Sequence, residues 1–279
     1  MVRILVDSSA DFSKEELEAK NLLMVPLTIT INNTDNYKDV LELERAELYR
    51  LLTTDNTRVM TSQPSPQDFL EKFQEVKDAG DEVVCILLSS GLSGTYQSAC
   101  LAKEMVDYDK IYLVDSLTAT VAIRILTDYA LQLVEEGRSA AEIAEIMEQM
   151  KSKLEIRAVV DTLKFLYLGG RVSRTTAIVG DAVTIKPAIL VSRDGLVEVC
   201  NKYLGVRRAV KDLTAQFVKA DVNRNFPVYM VYSQTDDNAQ LLKKALNDAG
   251  ETVDGAYEIG ATIGVHTGPG VFGVIYVAN

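Results

Sequence analysis

Three apolar runs in the first half of the chain each end in small polar residues, and this feature constrains the fold most. They are Val2–Val6, Val83–Leu88 and Ile111–Val114, followed by Asp7-Ser8-Ser9, Ser89-Ser90 and Asp115-Ser116. Apolar runs without polar alternation are typical of strands in a parallel sheet that is covered on both faces. Ligands of open parallel sheets bind beyond the carboxyl ends of the strands. The chain is therefore predicted to have an α/β fold with a ligand site at these polar ends.

Amphipathic stretches between the apolar runs are predicted to be helices. They are Lys14–Lys20, Glu44–Thr53, Pro66–Asp78, Gly94–Met105, Thr118–Glu136 and Ala140–Lys153, and Leu23–Ile31 is predicted as one more strand. The second half has a different spacing of strands and helices. Its predicted strands are Arg157–Val160, Ile185–Ser192, Leu196–Tyr203, Val228–Tyr232, Ala256–Gly264 and Gly273–Val277, and its predicted helices are Val206–Lys219 and Asn238–Ala249.

The change of pattern near Glu155 predicts two domains, as does the length of 279 residues. Residues 1–155 are expected to form a mainly parallel α/β sandwich. Residues 156–279 are expected to form an α+β domain with a mixed sheet.

The composition excludes several classes of function. The formal net charge of −11 argues against a nucleic-acid binder, because phosphate recognition needs a basic face. No signal peptide and no membrane-spanning run is visible. The three cysteines, Cys85, Cys100 and Cys200, are widely spaced, which suits a reducing compartment and gives no zinc spacing. We expect a cytoplasmic protein without a metal or cofactor.

A glycine- and serine-rich segment, residues 88–96, follows one apolar run and opens a predicted helix. The unpaired N–H groups at a helix start favour a carboxylate or phosphate, and Ser93 adds a hydroxyl donor. The segment has neither a Walker Gly-Lys-Ser/Thr nor the G-x-G-x-x-G pattern. The alternative is that Ser93 only caps the helix.

Two further segments carry polar groups that local structure does not fully explain. Thr61-Ser62-Gln63 precedes a proline-initiated helix, and its hydroxyls are either turn formers or ligand donors. His266 is the only histidine and lies between two apolar strand-like runs, in a glycine-rich segment where the backbone can approach a ligand closely. The alternative for His266 is a turn in which the ring only bonds its neighbours.

Seven segments in order give the chain a resemblance to the DegV family, which includes the fatty acid-binding (FakB-type) subunits of bacterial fatty acid kinase. They are Asp7-Ser8-Ser9-Ala10-Asp11, Thr61-Ser62-Gln63-Pro64-Ser65, Leu92-Ser93-Gly94-Thr95, Asp115-Ser116, Gly169-Gly170-Arg171-Val172-Ser173, Lys186-Pro187 and Ile263-Gly264-Val265-His266-Thr267-Gly268-Pro269-Gly270. The resemblance spans essentially the whole chain. It departs from the family after Ser116, where Ala122 and Arg124 replace expected glycines.

The resemblance implies that the two domains hold one long-chain fatty acid, such as palmitate, stearate or oleate, with its carboxylate between them. It assigns carboxylate binding to Thr61, Ser93, Gly94 and His266, with loops of residues 1–155 forming the carboxylate site and residues 156–279 contributing His266 and the acyl-tail pocket. Ser62 and Thr267 are expected in a surrounding polar shell. Arg171 is expected near the pocket mouth, where the kinase docks.

The implied function is a binding subunit that presents the fatty acid to a separate ATP-dependent kinase catalytic subunit, which makes an acyl phosphate. The protein is then not itself an enzyme, is a monomer when free, and meets the membrane transiently for lipid exchange. Two alternatives stay open. One is a hydrolase of acyl esters with Ser93 as nucleophile, His266 as base and Asp7 or Asp115 behind it. The other is a dihydroxyacetone kinase-like substrate-binding subunit with a small polar pocket.

Overall fold

The structure is a computed structural model that describes residues 1–54, 57–173 and 184–279. Its strands are β1 (Val2–Asp7), β2 (Leu23–Val25), β3 (Thr28–Ile31), β4 (Asp35–Lys38), β5 (Val59–Ser62), β6 (Glu82–Leu87), β7 (Ile111–Asp115), β8 (Leu154–Val159), β9 (Ile185–Val191), β10 (Val197–Leu204), β11 (Tyr229–Tyr232), β12 (Gly255–Glu258) and β13 (Phe272–Val277). Its helices are α1 (Lys14–Ala19), α2 (Arg45–Leu52), α3 (Pro66–Asp78), α4 (Thr95–Val106), α5 (Val121–Glu135), α6 (Ala140–Met150), α7 (Lys164–Leu168), α8 (Val206–Lys219), α9 (Asp237–Asp248) and α10 (Ala261–Thr267).

The first half of the chain forms a parallel sheet with helices on both faces, as the apolar runs predict. Its strand order is β2-β1-β6-β7, with all neighbours parallel. Ile4 and Val6 of β1 pack with α5 and α6, whereas Leu5 between them packs with α3 and α4. Burial on both faces explains why β1 carries no polar alternation.

A small antiparallel sheet of order β4-β3-β5 lies beside it, and here one strand prediction is wrong. The predicted strand Leu23–Ile31 is two strands: β2 pairs in the parallel sheet, and β3 pairs with β4 and β5. Pro26 lies between them, and a proline cannot donate to a strand ladder.

The second half forms a six-stranded mixed sheet of order β10-β9-β8-β13-β11-β12, in which only β11 and β12 are parallel neighbours. One face packs against α8 and α9, and the other turns toward the parallel sheet. The predicted fold class, with a mainly parallel N-terminal part and a mixed C-terminal sheet, is confirmed. The boundary near residue 155 stays a prediction.

Helix α5 lies between the two large sheets and is buried along most of its length. Ile123 and Leu126 pack toward the parallel sheet, and Ala122 and Ile125 pack toward the mixed sheet. A helix that is apolar on more than one face is expected where two cores meet. The two parts of the chain therefore share a structural element.

Arg124, which stands where the resemblance leads one to expect glycine, is fully buried on α5. It donates to both carboxylate oxygens of Glu16 and to the carbonyl of Asp11. Its guanidinium also lies between the rings of Phe12 and Tyr257, 4.1 and 4.4 Å from their centroids. Because Tyr257 belongs to β12, this arginine links the N-terminal helices to the mixed sheet.

The segment around His266 is the second correction to the expected secondary structure. The predicted strand Ala256–Gly264 ends early, since β12 stops at Glu258 and α10 begins at Ala261. His266 consequently lies in the last turn of a short helix. Gly268, with a φ of 75°, ends the helix in a conformation that side chains rarely adopt.

Candidate functional site

An apolar cavity lies between the carboxyl ends of the parallel strands and the inner face of the mixed sheet. Alternating residues of β8 and β9 line the sheet side, namely Ile156, Ala158, Ile189 and Val191. Alternation follows because successive side chains of a strand point to opposite faces. The N-terminal part, α7 and α10 complete the wall, among others through Leu27, Leu88, Leu92, Ala119, Leu166 and Ile263.

The polar end of the cavity is built from Thr61 and His266. Thr61 Oγ1 lies 2.7 Å from Nε2 of His266, and both residues line the cavity. Nδ1 of the ring is buried and has no hydrogen-bond partner among the described residues. The proton of a neutral ring is therefore assigned to Nε2, which donates it to Thr61. The hydroxyl proton of Thr61 is then available to another acceptor.

The charge state of His266 follows from its surroundings. Burial, and after it the positive charge of Arg171, lower the pKa of His266 from 6.5 to about 4. The ring is therefore neutral near pH 7. The backbone of Gly169 packs directly against it, because an added Cβ at Gly169 would overlap Nδ1.

Ser93 lies in the loop between β6 and α4 and also lines the cavity. Its Oγ accepts a hydrogen bond from the backbone N–H of Thr95 at 3.3 Å and lies 2.9 Å from the Thr95 hydroxyl. The helix itself begins at Thr95 with Gly94 at its N-cap position. Ser93 thus stabilises the first turn, as the capping alternative proposes, and also faces the cavity.

Arg171 donates hydrogen bonds to the backbone of this loop. Its Nε and Nη2 donate to the carbonyl of Leu92 at 3.0 and 2.9 Å, and its Nη1 donates to the carbonyl of Gly169. One side chain therefore connects the residue before Ser93 to the glycine that packs on His266. The docking role expected for Arg171 stays a prediction.

The other expected site residues are placed unequally. Thr267 lines the cavity, and its hydroxyl donates to the carbonyl of Ile263. Gly94 packs under the side chain of Gln63, which an added Cβ would overlap. Ser62 is exposed and is not brought to the cavity, because it follows Thr61 in strand β5 and points to the other face. Their functional roles stay predictions.

Residues that the sequence reasoning did not single out form most of the wall. Among them are Thr120 and Thr262, whose hydroxyls donate to the buried carboxylates of Asp11 and Asp39. The alternation of residues within β8 and β9 is the sequence signal that could have identified the wall residues on the sheet side. No local pattern identified the two threonines, since their partners are distant in sequence.

The hydrolase alternative needs a different geometry. His266 bonds to Thr61 rather than to Ser93, and among the described residues no carboxylate contacts its Nδ1. The carboxylate of Asp7 accepts from Ser9 and Leu88, and that of Asp115 accepts from Ser90 and Leu117. The described arrangement is therefore not a nucleophile–base–acid chain.

Two further features of the described residues bear on other functions. Residues 1–54, 57–173 and 184–279 contain no group of three or more His, Cys, Asp or Glu side chains placed to hold a metal ion. Within the same ranges, no helix combines the length and apolarity needed to cross a membrane.

This geometry defines a class of α/β protein in which two sheets enclose an apolar cavity. Hydroxyls and a neutral imidazole close one end of that cavity. The family model described as "Uncharacterised protein, DegV family" matches residues 1–279. A DegV domain-containing protein of Caldanaerobacter subterraneus subsp. tengcongensis is 31% identical over 277 residues, which covers 99% of this chain and 98% of the relative. The chain belongs to the DegV family.

Solved structures are similar over the whole length. A structure described as fatty acid binding of a DegV family protein from Thermus thermophilus has a TM-score of 0.88 at 27% identity, covering 100% of this chain and 99% of that one. A stearic acid-binding protein from Eubacterium ventriosum has a TM-score of 0.86 at 26% identity, covering 100% and 98%.

Proposed function

We propose that this protein binds one long-chain fatty acid with its tail in the apolar cavity and its carboxylate at Thr61 and Ser93. The observation that carries the proposal is the position of these two hydroxyls on one cavity, with Thr61 bonded to a neutral His266. The two solved relatives that are described as fatty acid binders support it.

The polar end suits a carboxylate better than a neutral headgroup. A buried anion must be hydrogen-bonded, or its burial raises its pKa until it becomes neutral. His266 donates to Thr61, which leaves the Thr61 hydroxyl free to donate in turn, and Ser93 offers a second hydroxyl. Arg171 on the cavity wall adds a positive charge nearby.

The tail supplies most of the affinity in this proposal. Burial contributes about 0.8 kcal/mol for each CH₂, so a chain of ~16 carbons contributes on the order of 10 kcal/mol before the costs of association. The aliphatic side chains along β8 and β9 provide the matching surface.

The proposed partner is a separate ATP-dependent kinase subunit that phosphorylates the bound carboxylate. An open cleft adjoins the polar end and shares Thr61, His266 and Arg171 with the cavity. Its described lining also includes the cations Arg58 and Lys164 and contains no Asp or Glu. In a chain of net charge −11, such a face suits an approaching anionic phosphoryl group.

The remaining features of the proposal follow from this role. The subunit acts in the cytoplasm, is a monomer when free, and contacts the membrane only to exchange its lipid. Docking of the kinase takes place at the cleft, beside Arg171.

Native mass spectrometry of the purified protein tests the proposal. The expected result is a complex with one fatty acid, either copurified or formed when oleate is added to delipidated protein. Addition of the kinase subunit and ATP should then give an acyl phosphate that hydroxylamine traps as a hydroxamate. Absence of any fatty acid complex after oleate addition contradicts the binding role, and binding without phosphorylation contradicts the kinase role.

A further inference from the structure

The carboxylate of Asp39 is buried against the start of α10, the helix that carries His266. Asp39 is 2% exposed and lies in the N-terminal half, directly after β4. Its Oδ2 accepts the backbone N–H of Thr262 at 3.1 Å and the Thr262 hydroxyl at 2.5 Å. Its Oδ1 accepts the N–H of Val40 at 2.7 Å. Both oxygens of this carboxylate are therefore occupied by donors.

The backbone next to Asp39 is held in an unfavourable conformation. Val40 has a φ of 69°, and a β-branched residue in the left-handed region is a genuine outlier. Such strain persists only where surrounding contacts impose it, and it is concentrated at functional sites. Here the strained turn directs the Asp39 carboxylate toward α10.

A second buried aspartate repeats the arrangement. Oδ1 of Asp11 accepts the N–H of Gly260 at 3.0 Å, and its Oδ2 accepts the hydroxyl of Thr120 at 2.5 Å. Thr120 also has a positive φ of 55° and, like Thr262, lines the cavity. Each aspartate thus binds one backbone N–H at the start of α10 and one threonine of the cavity wall.

We infer that Asp39 is a positioning residue for the carboxylate site, because it fixes through Thr262 the helix that places His266 against Thr61. The inference rests on the proposed function for the meaning of that site. A helix of seven residues with Gly264 in its middle has little stability of its own, so tertiary contacts must set its position. Thr262 stands one turn before His266 on the same helix.

The test uses Asp39→Asn and the ring signals of the single histidine. An asparagine keeps the shape but places an N–H₂ group against either Thr262 or Val40, both of which donate to the aspartate. When α10 loosens, water reaches the ring, and the pKa of His266 should rise from about 4 toward 6.5. The dissociation constant of a fluorescent fatty acid should rise about tenfold.

Thr262→Val keeps the test decisive if Asp39→Asn does not fold. It removes only the hydroxyl donor and leaves the backbone N–H bond to Asp39, so the expected changes have the same sign and are smaller. Ser139→Ala, which removes the cap of α6, is the matched control for a general loss of stability. It should lower the unfolding temperature without moving the His266 signals.

An unchanged histidine titration in Asp39→Asn, or in Thr262→Val where the first does not fold, overturns the inference even when the unfolding temperature falls. The titration is recorded on ligand-free protein, so it decides the positioning role independently of lipid. Failure of wild-type protein to bind any fatty acid overturns the proposed function instead.

Discussion

Thr61 Oγ1 lies 2.7 Å from Nε2 of His266, although 205 positions separate the two residues in the sequence. The contact joins a strand of the small antiparallel sheet to a helix near the C-terminus. A neutral ring that donates to Thr61 orients the threonine hydroxyl toward the cavity. In the proposed function, Thr61 is therefore the group through which His266 acts on a bound carboxylate.

Loss of the hydroxyl of Thr61 or of Ser93 should weaken fatty acid binding. For Thr61→Val and Ser93→Ala we expect about 10- to 100-fold higher dissociation constants, which correspond to about 1–3 kcal/mol for a lost bond to a charged group. Displacement of a fluorescent fatty acid measures the effect. Ser62→Ala is the matched control, since this exposed neighbour should leave the constant unchanged. Equal affinity of both site variants and wild type contradicts the assignment.

His266 should be neutral throughout the physiological range. Its lowered pKa means that folding favours the uncharged ring, so this contribution to the free energy of unfolding is complete above about pH 6.5 and declines as the pH falls toward about 4. NMR titration of the ligand-free protein is unambiguous because the chain has one histidine. Signals that titrate near 6.5 contradict the burial described here. Addition of fatty acid should raise the pKa, because a nearby anion favours the charged ring.

Gly169→Ala should displace the imidazole. The new methyl group overlaps Nδ1, so the ring must move away from Thr61 or the segment after α7 must shift. We expect weaker fatty acid binding and altered His266 NMR signals. Gly170→Ala is the neighbouring control: it is strained by a φ of 76° but meets no atom within 4 Å, so it should lower stability without changing the His266 signals. The same signals in Gly169→Ala and wild type contradict the close packing.

The stability of the protein should depend on pH through Asp11. Burial, opposed by the charge of Arg45, raises the pKa of Asp11 to about 6, so the folded state holds a proton that the unfolded state has released. Lowering the pH from 7 to 5 should therefore raise the free energy of unfolding through this group, by about 1 kcal/mol. Urea denaturation of wild type and Asp11→Asn at both pH values measures how much the free energy of unfolding of each protein changes with pH. Parallel pH profiles of the two proteins contradict it.

Arg124 should be an unusually costly arginine to remove. Arg124→Met loses two charge-assisted bonds to Glu16 and the stacking on Phe12 and Tyr257. We expect the free energy of unfolding to fall by about 2 kcal/mol. Chemical denaturation provides the measurement. Arg50→Met removes the exposed pair with Glu47 and should leave the midpoint nearly unchanged. Similar midpoints for both variants argue against a linking role for Arg124.

The sequence predicts the parallel half well because its strands are buried on both faces, which leaves a strong local signal. It fails at Ala256–Gly264, where β-branched residues suggest a strand and the structure places the start of α10. The reason is tertiary: Asp11 and Asp39 accept the first N–H groups of that helix from far away in sequence. For the candidate site, the family resemblance points to Thr61, Ser93 and His266, and the structure places all three on the cavity wall. The bonds of Arg171 to Leu92 and Gly169 depend on loop geometry that no local pattern encodes.

Helix α5 gives the chain a property that the two-sheet layout alone conceals. Ile123 and Leu126 belong to the core on the side of the parallel sheet, and Ala122 and Ile125 belong to the core on the side of the mixed sheet. A cut near residue 155 would leave Ala122 and Ile125 facing water on the first fragment and uncover the inner face of the second. Each half therefore carries an apolar surface that the other half covers in the whole chain.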